Sequence, residues 1–101
     1  MTAPDSPTPE VINGLRVVET GAFASPRWPA GYVPPPDGGP PLAPVTNVAL
    51  CEADGYDGFY TFFCTQEWEV VTYEFDETRE AARRGVAREF GADVTEWRAR
   101  P

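Results

Sequence analysis

No histidine and no lysine occurs among the 101 residues of this chain, and its eight basic residues are all arginine. The commonest general base and the usual amine nucleophile are therefore missing. Serine occurs only as Ser6 and Ser25, both in proline-rich stretches with no base nearby. Cysteine occurs only as Cys51 and Cys64. Without histidine, two thiols cannot complete a four-ligand zinc site in one chain unless carboxylates join them. Their neighbours are apolar and acidic, which disfavours thiolate, so both read as buried, free, structural cysteines. Long apolar runs are also lacking, and nothing approaches the roughly 20 residues that span a bilayer. "MTAPDSPTPE" has neither the positive nor the apolar region of a signal peptide, so the expected location is the cytoplasm.

Acid and proline are plentiful instead. Sixteen acidic residues give a formal net charge of −8. That charge repels nucleic acid and suits a partner with a basic surface. Arg79, Arg83, Arg84 and Arg88 make no basic patch, because Glu77, Glu80 and Glu89 are interleaved with them. All twelve prolines except Pro101 precede residue 45. They divide the chain into a disordered tail (1–9), an N-terminal strand with a Pro-rich segment (10–44), and a β-meander with a helix (45–101). The last unit falls below the roughly 70–80 residues that one core stabilises comfortably. Either the Pro-rich segment packs on it as a second layer or the chain forms a homo-oligomer.

Asn13-Gly14 favours a tight turn, followed by a strand from Leu15 to Thr20. "VTNVALCE", "FYTFFC" and "VVTYEF" read as an antiparallel meander. Alternation puts Val71, Tyr73 and Phe75 on a buried face. A turn centred near Tyr56 pairs Leu50 with Phe62, Val48 with Cys64 and Cys51 with Thr61, which places the two cysteines on opposite faces. The second strand is apolar on both faces and needs two covers. One is a helix opened by Asp76 or Thr78, with Ala82, Val86, Phe90 and the stem of Arg79 as its apolar stripe and Gly91 at its end. Val94 and Trp97 fold back onto that end. The other cover is the Pro-rich segment, with Phe23, Trp28, Tyr32 and Val33 against the sheet. The expected fold is α+β: a three- to four-stranded antiparallel sheet, one C-terminal helix on one face, and the Pro-rich segment on the other.

Two acidic places are candidates for partner binding. Trp68 lies between Glu67 and Glu69 at a hairpin turn, where an aromatic flanked by acids suits a basic, partly apolar surface. Glu52, Asp54 and Asp57 crowd the preceding turn. Oxygen ligands of this kind serve hard cations, but the run lacks the spacing of a calcium loop, so neither metal nor cofactor is expected.

The stretch from Phe59 to Gly91 resembles a pattern in small uncharacterised bacterial proteins. An aromatic strand ends in Cys, an acidic turn holds Trp, and a second strand leads to a helix closed by an aromatic residue and Gly. Tyr60, Phe62, Cys64, Trp68, Thr78, Ala82, Phe90 and Gly91 carry it. The resemblance implies no activity; small size and acidity are similar to those of immunity proteins, which neutralise toxins. The expected function is non-enzymatic protein binding, in the form of an immunity-type inhibitor of a basic toxin. The alternatives are a small carboxylate- or metal-dependent hydrolase using Glu52, Asp54 and Asp57, and an assembly subunit that docks through the Pro-rich segment.

Overall fold

The computed structural model describes residues 8–39, 42–91, 94 and 96–99. Most of the tail expected over 1–9 lies outside the described residues. The elements run β1 (Val11–Ile12), β2 (Leu15–Arg27), β3 (Val45–Glu52), β4 (Phe59–Cys64), β5 (Val70–Asp76), α1 (Arg79–Phe90) and β6 (Glu96–Ala99). The sheet is antiparallel and curls into a half-barrel in the order β1-β2-β3-β4-β5, with β6 also on β2. The fold is therefore α+β with one C-terminal helix, but the sheet has six strands rather than three or four.

The difference lies at the two ends of the chain. Asn13 and Gly14 take φ of 50° and 82°, the left-handed pair of a two-residue hairpin, and join β1 to β2. Strand β2 continues well past Thr20 to Arg27 and is the most connected strand, pairing with β1, β3 and β6. Val94 and Trp97 do fold back onto the core beneath the helix, but Trp97 does so from a strand, opposite Gly21 in a β6–β2 ladder.

The helix follows its sequence signals. Thr78 Oγ1 accepts from the Ala81 amide at 3.1 Å, Gly91 ends the helix in the left-handed region, and Ala82, Gly85, Val86 and Phe90 form the buried stripe. That stripe meets Val18, Phe23, Val45, Val48, Leu50 and Phe63. Arg79 lays its guanidinium 5.3 Å from the Phe59 ring centre.

The strand register departs from the expected one by a single residue. Val48 faces Phe63, Leu50 faces Thr61 and Cys51 faces Tyr60. The connecting loop is closed by the Ala53 amide on the Gly58 carbonyl, so its centre falls between Gly55 and Tyr56 rather than on Tyr56. Both cysteines consequently lie on one face, in a second core with Ile12, Val17, Ala49 and Phe62. They are free. Four ladder positions separate Cys51 from Asn47, which faces Cys64, an offset of roughly 13 Å and too long for a disulfide.

The Pro-rich segment does not cover that second face. Phe23 is buried on the helix side, its ring centre 5.3 Å from that of Phe90 and tilted against it. Trp28 and Val33 are exposed. Beyond Arg27 the segment closes on itself through Trp28 Nε1 to Leu42 O (2.7 Å) and the Leu42 amide to the Tyr32 hydroxyl (2.6 Å). It ties to the helix end through the Ala30 amide and Glu89 O. The register of β2 on β3 is irregular between Ala22 and Arg27, just before this segment. The second face is instead covered by Leu15, Tyr60, Trp68 and Val70.

One transverse row under the helix runs Glu19, Leu50, Thr61, Glu74 across four strands. Glu19, with a side chain only 4 % exposed, pairs with Arg83 of the helix, which also lies 5.8 Å from the Trp97 ring centre. Removing one partner of such a pair strands the other charge. Arg83→Ala is expected to cost about 2–3 kcal/mol, less than a fully buried pair because Arg83 is partly exposed. The melting temperature should fall by roughly 10–20 °C. Glu19→Leu combined with Arg83→Ala should recover part of the loss; a single mutant that melts like the wild type would contradict this.

Candidate functional site

The sheet face opposite the helix carries more aromatic surface than its own core uses. A bulge in β5 is the cause. Cys64 pairs with Val70 but Phe63 pairs with Thr72, so Val71 is the extra residue. A bulge reverses the alternation beyond it. Val71 packs toward the helix, and Thr72, Glu74 and Asp76 follow on that side. Tyr73 and Phe75 turn to the opposite face and are 61 % and 41 % exposed. The expected burial of Tyr73 and Phe75 is thus corrected.

Two cross-strand pairs order this surface. Phe75 faces Tyr60, with ring centres 5.2 Å apart, and Tyr73 faces Phe62 at 6.2 Å. Tyr60 also lies 6.1 Å from Phe62 and 6.0 Å from Tyr73. Tyr56 reaches over from the β3–β4 loop, its ring 5.6 Å from Phe75 and its hydroxyl 2.5 Å from that of Tyr60. The hydrogen bond with Tyr60, more than burial, pushes the Tyr56 phenol above its ordinary pKa. Gly58 is required beneath: at φ 139° its missing Cβ would collide with the Phe75 ring. Together with Asn13, Leu15 and Asp54, the rings Tyr56, Tyr60, Phe62 and Tyr73 line a cleft of about 410 Å³.

On the far side of Tyr56 lies a more polar cleft of about 500 Å³ that includes Glu52, Asp57, Phe59 and Glu77. The candidates Glu52, Asp54 and Asp57 therefore surround the aromatic surface, Asp54 in one cleft and the other two in the next. Glu52 also meets Arg16 at 3.0 Å. Trp68, Glu67 and Glu69 lie at the other end of β4, six residues away along the strand. There Trp68 takes φ 66° and packs half-buried on the second core, while Glu67 and Glu69 are exposed. The structure thus splits the six residues between two ends of one hairpin. It adds Tyr56, Tyr60, Tyr73 and Phe75 at the first end. Their one sequence signal was the aromatic count itself, since the bulge leaves no mark in the composition of β5.

Neither thiol is disposed toward the thiolate form. Burial pushes both thiols up to about 12, Cys51 with a further contribution from Cys64. Among the described residues, no group of three or more Cys, Asp or Glu is placed to hold a metal ion. No helix among them is long and apolar enough to cross a membrane. The chain matches no protein-family model, no curated protein and no solved structure.

The inward turn of Glu74 has a measurable consequence. Its carboxylate comes against the helix at Gly85, where an added Cβ would lie 3.0 Å from Glu74 Oε2. Burial, then the charge of Glu89 and a hydrogen bond with it, then Asp76, raise the Glu74 pKa, against a lowering by Arg88. A carboxyl raised on folding stabilises below its unfolded pKa of about 4.3, and that contribution is lost as pH rises through the folded value. Glu74→Gln should therefore raise the melting temperature at pH 7, and the gain should vanish toward pH 4. A gain that grows on acidification would contradict the assignment.

Proposed function

We propose that this is a non-enzymatic protein-binding protein whose partner presents a basic surface. Within that class, an immunity-type inhibitor of a basic toxin suits its small size and acidity best. The observation that carries the reading is the uncovered aromatic face. Tyr56, Tyr73 and Phe75 are 53 %, 61 % and 41 % exposed, each meets Tyr60, and Asp54 and Asp57 lie beside them. Contiguous exposed apolar surface rimmed by polar groups marks an interaction site. Tyrosine is also among the residues enriched where binding energy concentrates.

A net charge of −8 steers the encounter toward basic proteins and away from nucleic acid. Free buried thiols suit a reducing compartment, so the proposed location is the cytoplasm. The hairpin tip with Glu67, Trp68 and Glu69 is a secondary contact in this reading, because Trp68 already has its place in the core.

Site-specific photo-crosslinking in cells producing the full chain tests the proposal. Tyr73→p-benzoylphenylalanine should give one dominant protein adduct with a partner of pI above about 9. The same replacement at Arg84, exposed on the helix, should give none. An acidic partner, or equal adducts from both positions, would sink the proposal.

A further inference from the structure

We propose that the aromatic cleft is a receptor for an arginine side chain, presented by a basic segment of the partner and held by the Tyr60 and Tyr73 rings with Asp54 as counter-charge. This rests on the protein-binding reading above and specifies what the partner must insert.

The cleft is lined by three tyrosines, one phenylalanine, Leu15, Asn13 and a single charged group, Asp54; no basic residue is among the described residues that line it. A ring of aromatic faces with one carboxylate attracts a cation that can lie flat. Arginine is favoured over lysine because its guanidinium is planar, weakly hydrated and able to stack while donating to a carboxylate. The volume, about 410 Å³, admits a side chain and not a folded element.

The cleft is pre-organised around Tyr60. Tyr60 is held from three sides by Phe62, Tyr73 and Phe75 and by the hydroxyl of Tyr56. Rings already fixed in place lose little freedom when a ligand arrives. The same pairing recurs inside the fold: Arg27 lies 6.0 Å from the Phe23 ring centre, Arg79 5.3 Å from Phe59 and Arg83 5.8 Å from Trp97. Those rings belong to the helix side or its flank; the cleft offers a similar surface to an outside guanidinium.

Negative charge continues beyond the aromatic cleft. Tyr56 lines both clefts, and the neighbouring one carries Glu52, Asp57 and Glu77. Glu52 is shared with Arg16, so Asp57 and Glu77 are the carboxylates that meet a second cation on the same segment. A chain crossing Tyr56 would thus place one cation among rings and the next among carboxylates.

The test is a nuclear magnetic resonance titration of the full chain with two synthetic peptides. One is Gly-Arg-Gly-Arg-Gly; the other replaces each arginine by citrulline, a neutral side chain of the same shape. The arginine peptide should shift the ring signals of Tyr56, Tyr60 and Tyr73 saturably, with a Kd below about 1 mM. The citrulline peptide should bind at least about fivefold more weakly. Asp54→Asn and Tyr73→Ala, both at exposed positions, should each weaken the arginine peptide about threefold or more while leaving the circular dichroism spectrum unchanged. Should either variant misfold, the other and the peptide pair still decide. Equal binding of both peptides, shifts confined to Glu67 and Glu69, or no binding would overturn the inference. A basic partner crosslinked at position 73 together with equal peptide binding would overturn the arginine receptor alone and leave the protein-binding reading standing.

Discussion

A central pair of strands that is apolar on both faces governs this fold. Strands β3 and β4 put Val48, Leu50 and Phe63 on one side and Ala49, Cys51, Phe62 and Cys64 on the other, all buried. Such strands need cover twice, and there is one helix among the described residues to supply it. The helix takes the first face. The second is covered by side chains from the ends of neighbouring strands and by Trp68. That cover thins out toward the β3–β4 loop, where Tyr73 and Phe75 stand exposed beside half-buried Tyr60 and buried Phe62.

Charge is sorted by the same geometry. The helix brings Arg79, Arg83 and Arg88 toward the sheet, where they meet Phe59, the Glu19 carboxylate and the surroundings of Glu74. The Glu19–Arg83 pair couples the most connected strand to the helix, and the acidic flank of β5 meets the helix at Gly85, the one position with no side chain to displace it. Much of the arginine is thereby engaged with the chain itself. The carboxylates Asp54, Asp57 and Glu77 line the clefts beside the aromatic surface, the charge on which the proposed cationic partner rests.

The helix was legible to its caps, because Thr78, Gly91 and the stripe Ala82, Val86 and Phe90 act within a few turns of one another. The Asn13-Gly14 hairpin was legible for the same local reason. Strand positions could be read, but their partners could not. Register depends on where a loop closes, and the bond from Ala53 to Gly58 moves it by one residue, which reverses every facing relation. Two bulges, one at Val18 and one at Val71, are equally silent in composition. The strand β6 gives no local signal, since "EWRA" is ordered by the free edge of β2. The candidate site was half legible: Glu52, Asp54 and Asp57 announce themselves as acids in a turn, whereas Tyr73 and Phe75 read as core until the bulge at Val71 is known.

The outward turn of Tyr73 and Phe75 is the claim on which the functional account stands. A soluble paramagnetic agent broadens the resonances of protons that solvent reaches, so relaxation enhancement along β5 measures it directly. The account predicts strong broadening of the Tyr73 and Phe75 ring signals and weak broadening of the Val71 methyls and the Glu74 side chain. Protection of Val71, Tyr73 and Phe75 together, with Glu74 strongly broadened, would mean an unbroken alternation without the bulge, and would contradict it.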